Sequence, residues 1–388
     1  MSKLVVLTTH PIQYQAPLWQ ALASDGRVPF EVWFLSDHGL VPSYDREFNC
    51  TFAWDLDLLE GYAHRFVGKG RSPGDFWGMR LPRGFPSTLR AEKVSALWLQ
   101  GWQVSAYWQA ALAGKLLGID VWLRGETNNL RKVTGPKAVA KRILLSNFFR
   151  CVNSFFYIGS ANRSFYESYG IGSAALWPAP YCVDNARFRA AAEQNQGRRH
   201  QLRERLGIPE NAFCVLFCGK LIDKKRPLDI VAACGKFRDA TNVAPHILFV
   251  GSGRLEAAVR QACASFESEG GTTSFVGFLN QTEIGEAYAA ADCMVLASDA
   301  GETWGLVVNE ALASGLPCVV ADLCGSAADL VGVADPQLVF PTGDTDALAR
   351  SLRHLHDIGG KSVLWPVAAH DFKATIDSVA AAWNIHHR

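Results

Sequence analysis

Ten short apolar runs, five in each half of the chain, constrain the fold more than any other feature. In the first half they are KLVVLTT, FEVWFLS, ALWLQG, DVWLRG and FFYIGS, and in the second CVLFCGK, HILFVGSG, TSFVGFL, CMVLASD and PCVVAD. Each is four to seven residues of nearly continuous hydrophobicity closed by a polar residue or glycine, the pattern of a strand buried on both faces of a parallel sheet. Helical stretches such as AYWQAALAGKLLG lie between some of them. Strand, loop and helix in repeated order imply an α/β protein, and the scheme occurs twice.

A chain of 388 residues exceeds the roughly 250 to 300 at which single cores stop growing, so two doubly wound domains are expected. Their boundary is placed between Tyr181 and Gly207, where the apolar pattern lapses into the polar run AAAEQNQGRRHQLRERLG, read as a linker helix. The expected domains are residues 1–190 and 208–370, with 371–388 packing back on the first as a helix.

Hydrophobic residues make up 49% and charged residues 19%, and the formal net charge is +1, which argues against nucleic acid as a partner. The ten cysteines show no paired zinc spacing and many sit inside apolar runs. They read as reduced core residues of a cytoplasmic protein. No basic region leads into a long apolar segment at the N-terminus, and no window reaches the 18 apolar residues of a membrane span.

In open α/β sheets ligands bind beyond the carboxyl ends of the strands, so the residues that follow each run carry the chemistry. After CVLFCGK the chain offers Gly219 and Lys220, then Lys224, Lys225 and Arg226, a glycine turn with clustered cations suited to a diphosphate. Gly251 and Gly253 follow the next run and would let backbone N–H groups approach a ligand. After CMVLASD, Glu302 lies in a loop and GLVVNEALASG reads as a helix closed by Gly315 and Pro317. The start of that helix, near Gly305 and Leu306, would attract an anion. Glu302 and Glu310 then flank the anion, and ionised carboxylates accept from hydroxyls. The ligand is expected to carry a sugar at one end and a ribose at the other.

GKLIDKK, VGSGRLEAAV, FVGFL and ETWGLVVNEALASGLPCV, in this order over Cys214–Asp322, resemble the nucleotide-binding half of the retaining glycosyltransferases of family 4, which have the GT-B fold. HPIQYQAPLWQALA is similar to a first-loop variant found in that family, and WPAPYCVDNARF to its domain-boundary segment. The resemblance implies two Rossmann-like domains facing a cleft. It also implies that Lys220 and Lys225 neutralise the donor diphosphate and that Phe278 lies on the base side. Thr303, Trp304, Gly305, Leu306 and Glu302 would hold sugar and phosphate, and Glu310 the ribose. Lys220 stands where arginine is commoner and loses the bidentate fork; Trp304 stands where phenylalanine is commoner.

Many relatives carry a histidine after the fourth strand, where this chain reads LRGETNN. Arg124 and Glu126 are the substitutes considered for a catalytic contribution, against a plainer role as an ion pair orienting the loop. His10, at the end of the first strand, is the other candidate, against capping the helix that begins near Pro17. Asp55 with Asp57 and Asp344 with Asp346 form Asp-x-Asp patterns that a metal-dependent transferase would use. The second pair reads better as a helix start.

The reaction implied is front-face transfer from a nucleoside diphosphate sugar to a glycan or lipid-linked acceptor, with charge on the leaving group met by lysines and a helix start. No metal or cofactor is then required. Basic and aromatic residues interleaved over Arg65–Lys93, and a basic run over Arg131–Arg150, would suit an anionic membrane surface. A nucleotide-sugar epimerase and a non-catalytic nucleotide-sugar binding module are the alternative functions.

Overall fold

The computed structural model describes residues 2–45, 47, 50–68, 75–131, 134–359 and 365–386. Lys69, Arg71 and Lys132, part of the two basic segments, lie outside the described residues.

Among the described residues nine strands precede residue 182: β1 (Lys3–Thr8), β2 (Phe30–Phe34), β3 (Ser43–Asp45), β4 (Cys50–Phe52), β5 (His64–Phe66), β6 (Val94–Leu99), β7 (Asp120–Arg124), β8 (Ser154–Tyr157) and β9 (Leu176–Pro178). Six follow: β10 (Phe213–Cys218), β11 (Pro245–Val250), β12 (Thr272–Gly277), β13 (Cys293–Leu296), β14 (Cys318–Ala321) and β15 (Val339–Phe340). The helices are α1 (Ala16–Asp25), α2 (Phe85–Ala91), α3 (Ser105–Leu117), α4 (Pro136–Phe149) and α5 (Ser160–Glu167), then α6 (Asn185–Gln194), α7 (Arg199–Arg205), α8 (Pro227–Thr241) and α9 (Glu256–Ser268). They end with α10 (Ile284–Ala290), α11 (Leu306–Ala313), α12 (Thr345–Asp357) and α13 (Phe372–His386).

The chain divides into two compact units. The first comprises Met1–Pro42, Asp57–Tyr181 and His370–Arg388, the second Ser43–Leu56 and Cys182–Ala369. In the first, a parallel sheet runs β5-β2-β1-β6-β7-β8-β9. Alternate residues of β1 feed opposite cores: Val5 and Leu7 pack with side chains of α2, α3, α4 and α5, Leu4 and Val6 with Trp19 of α1 and Val379 and Trp383 of α13. Helices therefore cover both faces, which is why the central strands are apolar over most of their length.

The second sheet is also parallel, in the order β12-β11-β10-β13-β14-β15. In sequence rank this is 3-2-1-4-5-6, the doubly wound order whose direction reverses between the first and fourth strands. The reversal falls between β10 and β13, the position at which sheets of this order bind their ligands.

Two local outcomes depart from the sequence reading. The polar run after residue 182 is not a linker: α6 and α7 pack on α10, and α6 also on α11. They bury Phe188, Leu202 and the guanidinium of Arg203, which bonds Asp292 at 2.6 Å and the Ala290 carbonyl at 3.0 Å. The hairpin of β3 and β4 was not foreseen, since its strands are three residues long and carry no apolar run. As read, Asp344 caps α12 by accepting from the Ala347 amide at 2.8 Å, with Asp346 in the first turn.

Candidate active site

The loop that leaves β10 turns at Gly219 (φ 144°) and lies directly on the loop that leaves β11. A Cβ on Gly251 would stand 2.0 Å from the Gly219 carbonyl oxygen, and one on Gly253 would stand 2.6 Å from that of Leu221. The amide of Gly219 donates to Val250 O at 2.9 Å, that of Leu221 to Ser252 O at 2.8 Å and that of Gly251 to Gly277 O at 2.6 Å. The glycines at 219 and 251 thus serve loop-on-loop packing, with their N–H groups bonded to neighbouring backbone.

What this packing positions is the turn Asp223–Lys225 against the loop after β13. Lys224 O accepts from the Asp299 amide at 2.8 Å, and the Lys225 ammonium donates to a Glu302 carboxylate oxygen in a short contact. Both side chains are largely buried, at 12% and 13% exposure, a dry ion pair. Burial by itself would push the Glu302 carboxyl up, but Lys225, with Lys224 behind it, holds it below the usual carboxylate range. Three residues on, Gly305 (φ 95°) opens α11; a Cβ there would meet Leu296 at 2.4 Å, and no described side chain caps the helix. Trp304 is buried and donates from Nε1 to Asn309 Oδ1 at 2.7 Å, so its ring anchors the loop. Thr303 O faces Gly325, where a Cβ would approach to 2.1 Å.

Glu310 lies one turn further along α11. Tyr288 OH donates to it at 2.6 Å and Gln281 Nε2 at 3.5 Å, and Arg187 fixes Gln281 through Nη1 to its carbonyl at 2.8 Å. Burial pushes its carboxyl up, offset in part by Tyr288 and Arg187. Glu302 and Glu310 thus differ: one is an ion-paired anion, the other a desolvated acceptor.

Lys220 faces a different partner. Its ammonium donates to Glu47 Oε2 at 2.7 Å and to Asp45 Oδ2 at 3.1 Å, both on the β3–β4 hairpin. Phe278 is covered by Phe52, ring centroids 4.5 Å apart.

In the first unit the reversal of strand order falls between β1 and β6, and His10 stands just beyond β1. Its Nδ1 meets Thr9 Oγ1 at 2.9 Å and its ring stands edge-on to His38 at 5.3 Å. Burial, and then the neighbouring His38, push it down to about 4, so at neutral pH it is uncharged. It does not cap α1, which has no side-chain cap. Arg124 and Glu126 do not pair with each other among the described residues. The guanidinium lies over the Tyr181 ring at 4.8 Å, and Tyr181 OH donates to Glu126 in a short contact. Burial, then Glu126, keeps the proton on Tyr181.

Asp55 and Asp57 do not converge. Asp55 accepts from the amides of Gln281 and Thr282 at 3.2 and 3.0 Å, and Asp57 from those of Leu59 and Glu60, both at 3.0 Å. Among the described residues no group of three or more His, Cys, Asp or Glu is arranged to hold a metal.

The structure therefore brings Lys225, Glu302 and the start of α11 together, sets Glu310 nearby with Tyr288, and joins Lys220 to the hairpin. His38, Tyr181, Tyr288, Arg187, Asp45 and Glu47 were missed. Tyr181 and Arg187 had a signal, their place in WPAPYCVDNARF; the others are joined to the site by contacts distant in sequence.

Residues 198–362 match the family model for glycosyl transferases group 1. The chain is 30% identical over 222 residues to the 2-deoxystreptamine glucosyltransferase of Streptomyces kanamyceticus, covering 56% of this chain and 53% of that protein. It is 30% identical over 210 residues to the GDP-mannose-dependent alpha-mannosyltransferase of Mycobacterium tuberculosis, covering 51% and 50%. It thus spans about half the length of these relatives. Among solved structures it is similar to Anabaena Alr3699/HepE in complex with UDP and glucose, with TM-score 0.64 and 17% identity over 98% of this chain and 94% of that one. It is also similar to the UDP-GlcNAc 2-epimerase of Methanocaldococcus jannaschii, with TM-score 0.61 and 14% identity over 99% and 100%. At such identities the likeness shows the fold: GT-B, an α/β fold with two Rossmann-like domains, as expected from the sequence.

Proposed function

We propose that the protein is a retaining, metal-independent glycosyltransferase of family 4 that moves a sugar from a nucleoside diphosphate sugar to a glycan or lipid-linked acceptor in cell-surface polysaccharide or glycoconjugate synthesis. The observation that carries this is the buried Lys225–Glu302 pair at the β10/β13 reversal, beside the uncapped start of α11. A diphosphate needs fixed positive potential, which Lys225, Lys220 and the helix start supply without a metal or other cofactor. A sugar offers hydroxyl donors, which Glu302 accepts; the ribose diol suits Glu310, desolvated and already oriented by Tyr288. The leaving phosphate would help deprotonate the acceptor, and uncharged His10 and the Tyr181–Glu126 pair would orient it. Similarity to a GDP-mannose-dependent alpha-mannosyltransferase supports a nucleotide-sugar donor.

The experiment is incubation with UDP-, GDP-, ADP-, dTDP- and CMP-linked sugars while released nucleotide is followed. A transferase releases nucleoside diphosphate in step with acceptor consumption. An epimerase leaves the diphosphate bond in its product and a binding module changes nothing; either result overturns the proposal.

We also place the enzyme in the cytoplasm, peripheral on the inner face of the membrane. No described helix is long and apolar enough to cross a membrane. Helix α4 instead exposes Val139, Ile143 and Leu144 on one side, at 59%, 60% and 52%, within a basic segment, and α3 exposes Leu116 at 75%. Apolar side chains among lysines and arginines suit the headgroup boundary of an anionic bilayer. The protein is expected to sediment with phosphatidylglycerol vesicles at low salt, with Ile143→Glu lowering the bound fraction several-fold. No sedimentation of the wild type would remove the membrane assignment.

A further inference from the structure

The segment Ser43–Leu56 leaves the first half of the sequence to join the second unit, and it is fixed there at one end. Asp55 binds the Gln281 and Thr282 amides, Asn280 Nδ2 donates to Ala53 O at 2.7 Å, and Phe52 covers Phe278. At the other end Asp45 and Glu47 lie on the Lys220 ammonium. Two carboxylates thus meet the ammonium that the donor diphosphate would use.

We propose that Asp45 and Glu47 determine donor affinity by acting as built-in competitors of the diphosphate: they occupy Lys220 as stand-ins for phosphate oxygens, and donor binding exchanges them for the ligand. This rests on the donor site proposed above. The anchors from Phe52 to Asp55 keep the acids at high effective concentration against Lys220, so the competition is intramolecular. Asp45 and Lys220 are partly buried, at 29% and 23%, but Glu47 is 61% exposed and its contact is easy to break. Exposed pairs of this kind are weak, which makes them exchangeable and unsuited to holding the fold. The anchors and the competing acids are separate, so the acids can leave Lys220 while Phe52 and Asp55 stay in place.

The test is calorimetric titration of the full chain with UDP, GDP, ADP, dTDP and CMP, comparing wild type, Asp45→Asn/Glu47→Gln, and the same double variant with Lys220→Met. The double variant is expected to bind its preferred nucleoside diphosphate about five- to tenfold more tightly, from the loss of two weak pairs. Adding Lys220→Met should cancel the gain. Glu47→Gln alone, a change at an exposed residue that leaves the fold intact, should give a smaller gain in the same direction. Unchanged affinity in the variants, with the wild type binding a diphosphate, overturns the competition alone. Weaker binding overturns it too, and makes the acids ligands of the donor. If no nucleotide binds any of the proteins, the donor site itself fails and the competition with it.

Discussion

Glu302→Gln is expected to lower the rate of nucleoside diphosphate release about a hundredfold or more, in kcat rather than KM, with the fold retained. Loss of one preorganised polar contact to a reacting group typically costs 10²- to 10³-fold. Glutamine keeps the volume and one acceptor oxygen, so the loop between Asp299 and Gly305 keeps its place. What it loses is the charge that Lys225 neutralises and the acceptor strength toward a sugar hydroxyl. The variant also tests the pair thermodynamically. Lys225 holds the Glu302 carboxyl below its ordinary range, so the unfolded chain takes up this proton first as pH falls. The stabilisation by the pair is therefore complete above the unfolded carboxylate value of about 4.3 and is lost as pH falls through the lower folded value. Wild type should lose stability over that acid window, and Glu302→Gln should lose less. Full nucleotide release by a folded Glu302→Gln protein would remove Glu302 from the site.

Gly251→Ala is expected to destabilise the second unit by roughly 3 to 5 kcal/mol, at the upper end of single substitutions. Two causes act together. The residue sits at φ 117°, which side chains rarely adopt, and the new Cβ would stand 2.0 Å from the Gly219 carbonyl oxygen. That oxygen is backbone, in a loop whose amide is bonded to Val250 O, so relief requires parting the loops after β10 and β11. Gly270→Ala makes the control: at φ 98° and with open space around it, it shares the strained backbone and lacks the collision. Chemical unfolding of both variants separates the two causes, and equal losses would show that the loop contact contributes nothing.

The fold was largely legible because a strand buried on both faces must be apolar along its whole length. All ten runs became strands of the two sheets. The five strands that escaped notice are edge or hairpin strands of two or three residues, such as Leu176–Pro178 and Val339–Phe340, too short to show a period. The candidate site was legible in that Lys220, Lys225 and Glu302 lie in the loops after β10 and β13, where doubly wound order places ligand-facing loops, and Glu310 in the helix that follows. Their partners were not. Gly251 shows the difference, since its type was noticed and its reason, the carbonyl of Gly219, was not. Arg124 and Glu126 show it again: the sequence offered a catalytic contribution or an ion pair between them, and showed nothing of Tyr181, 55 residues on from Glu126, which both of them meet.

The sequence by itself determined two doubly wound units and a phosphate-suited set of cations and glycines, because both follow from local pattern: burial sets which residues are apolar, and chain direction sets which ends face a ligand. Only the tertiary structure decided which acid meets which cation. Glu302 is joined to Lys225 across 77 positions, and Asp45 to Lys220 across 175. Such pairings depend on strand order and on how far each group is dried, and neither quantity is written in the neighbourhood of the residue itself.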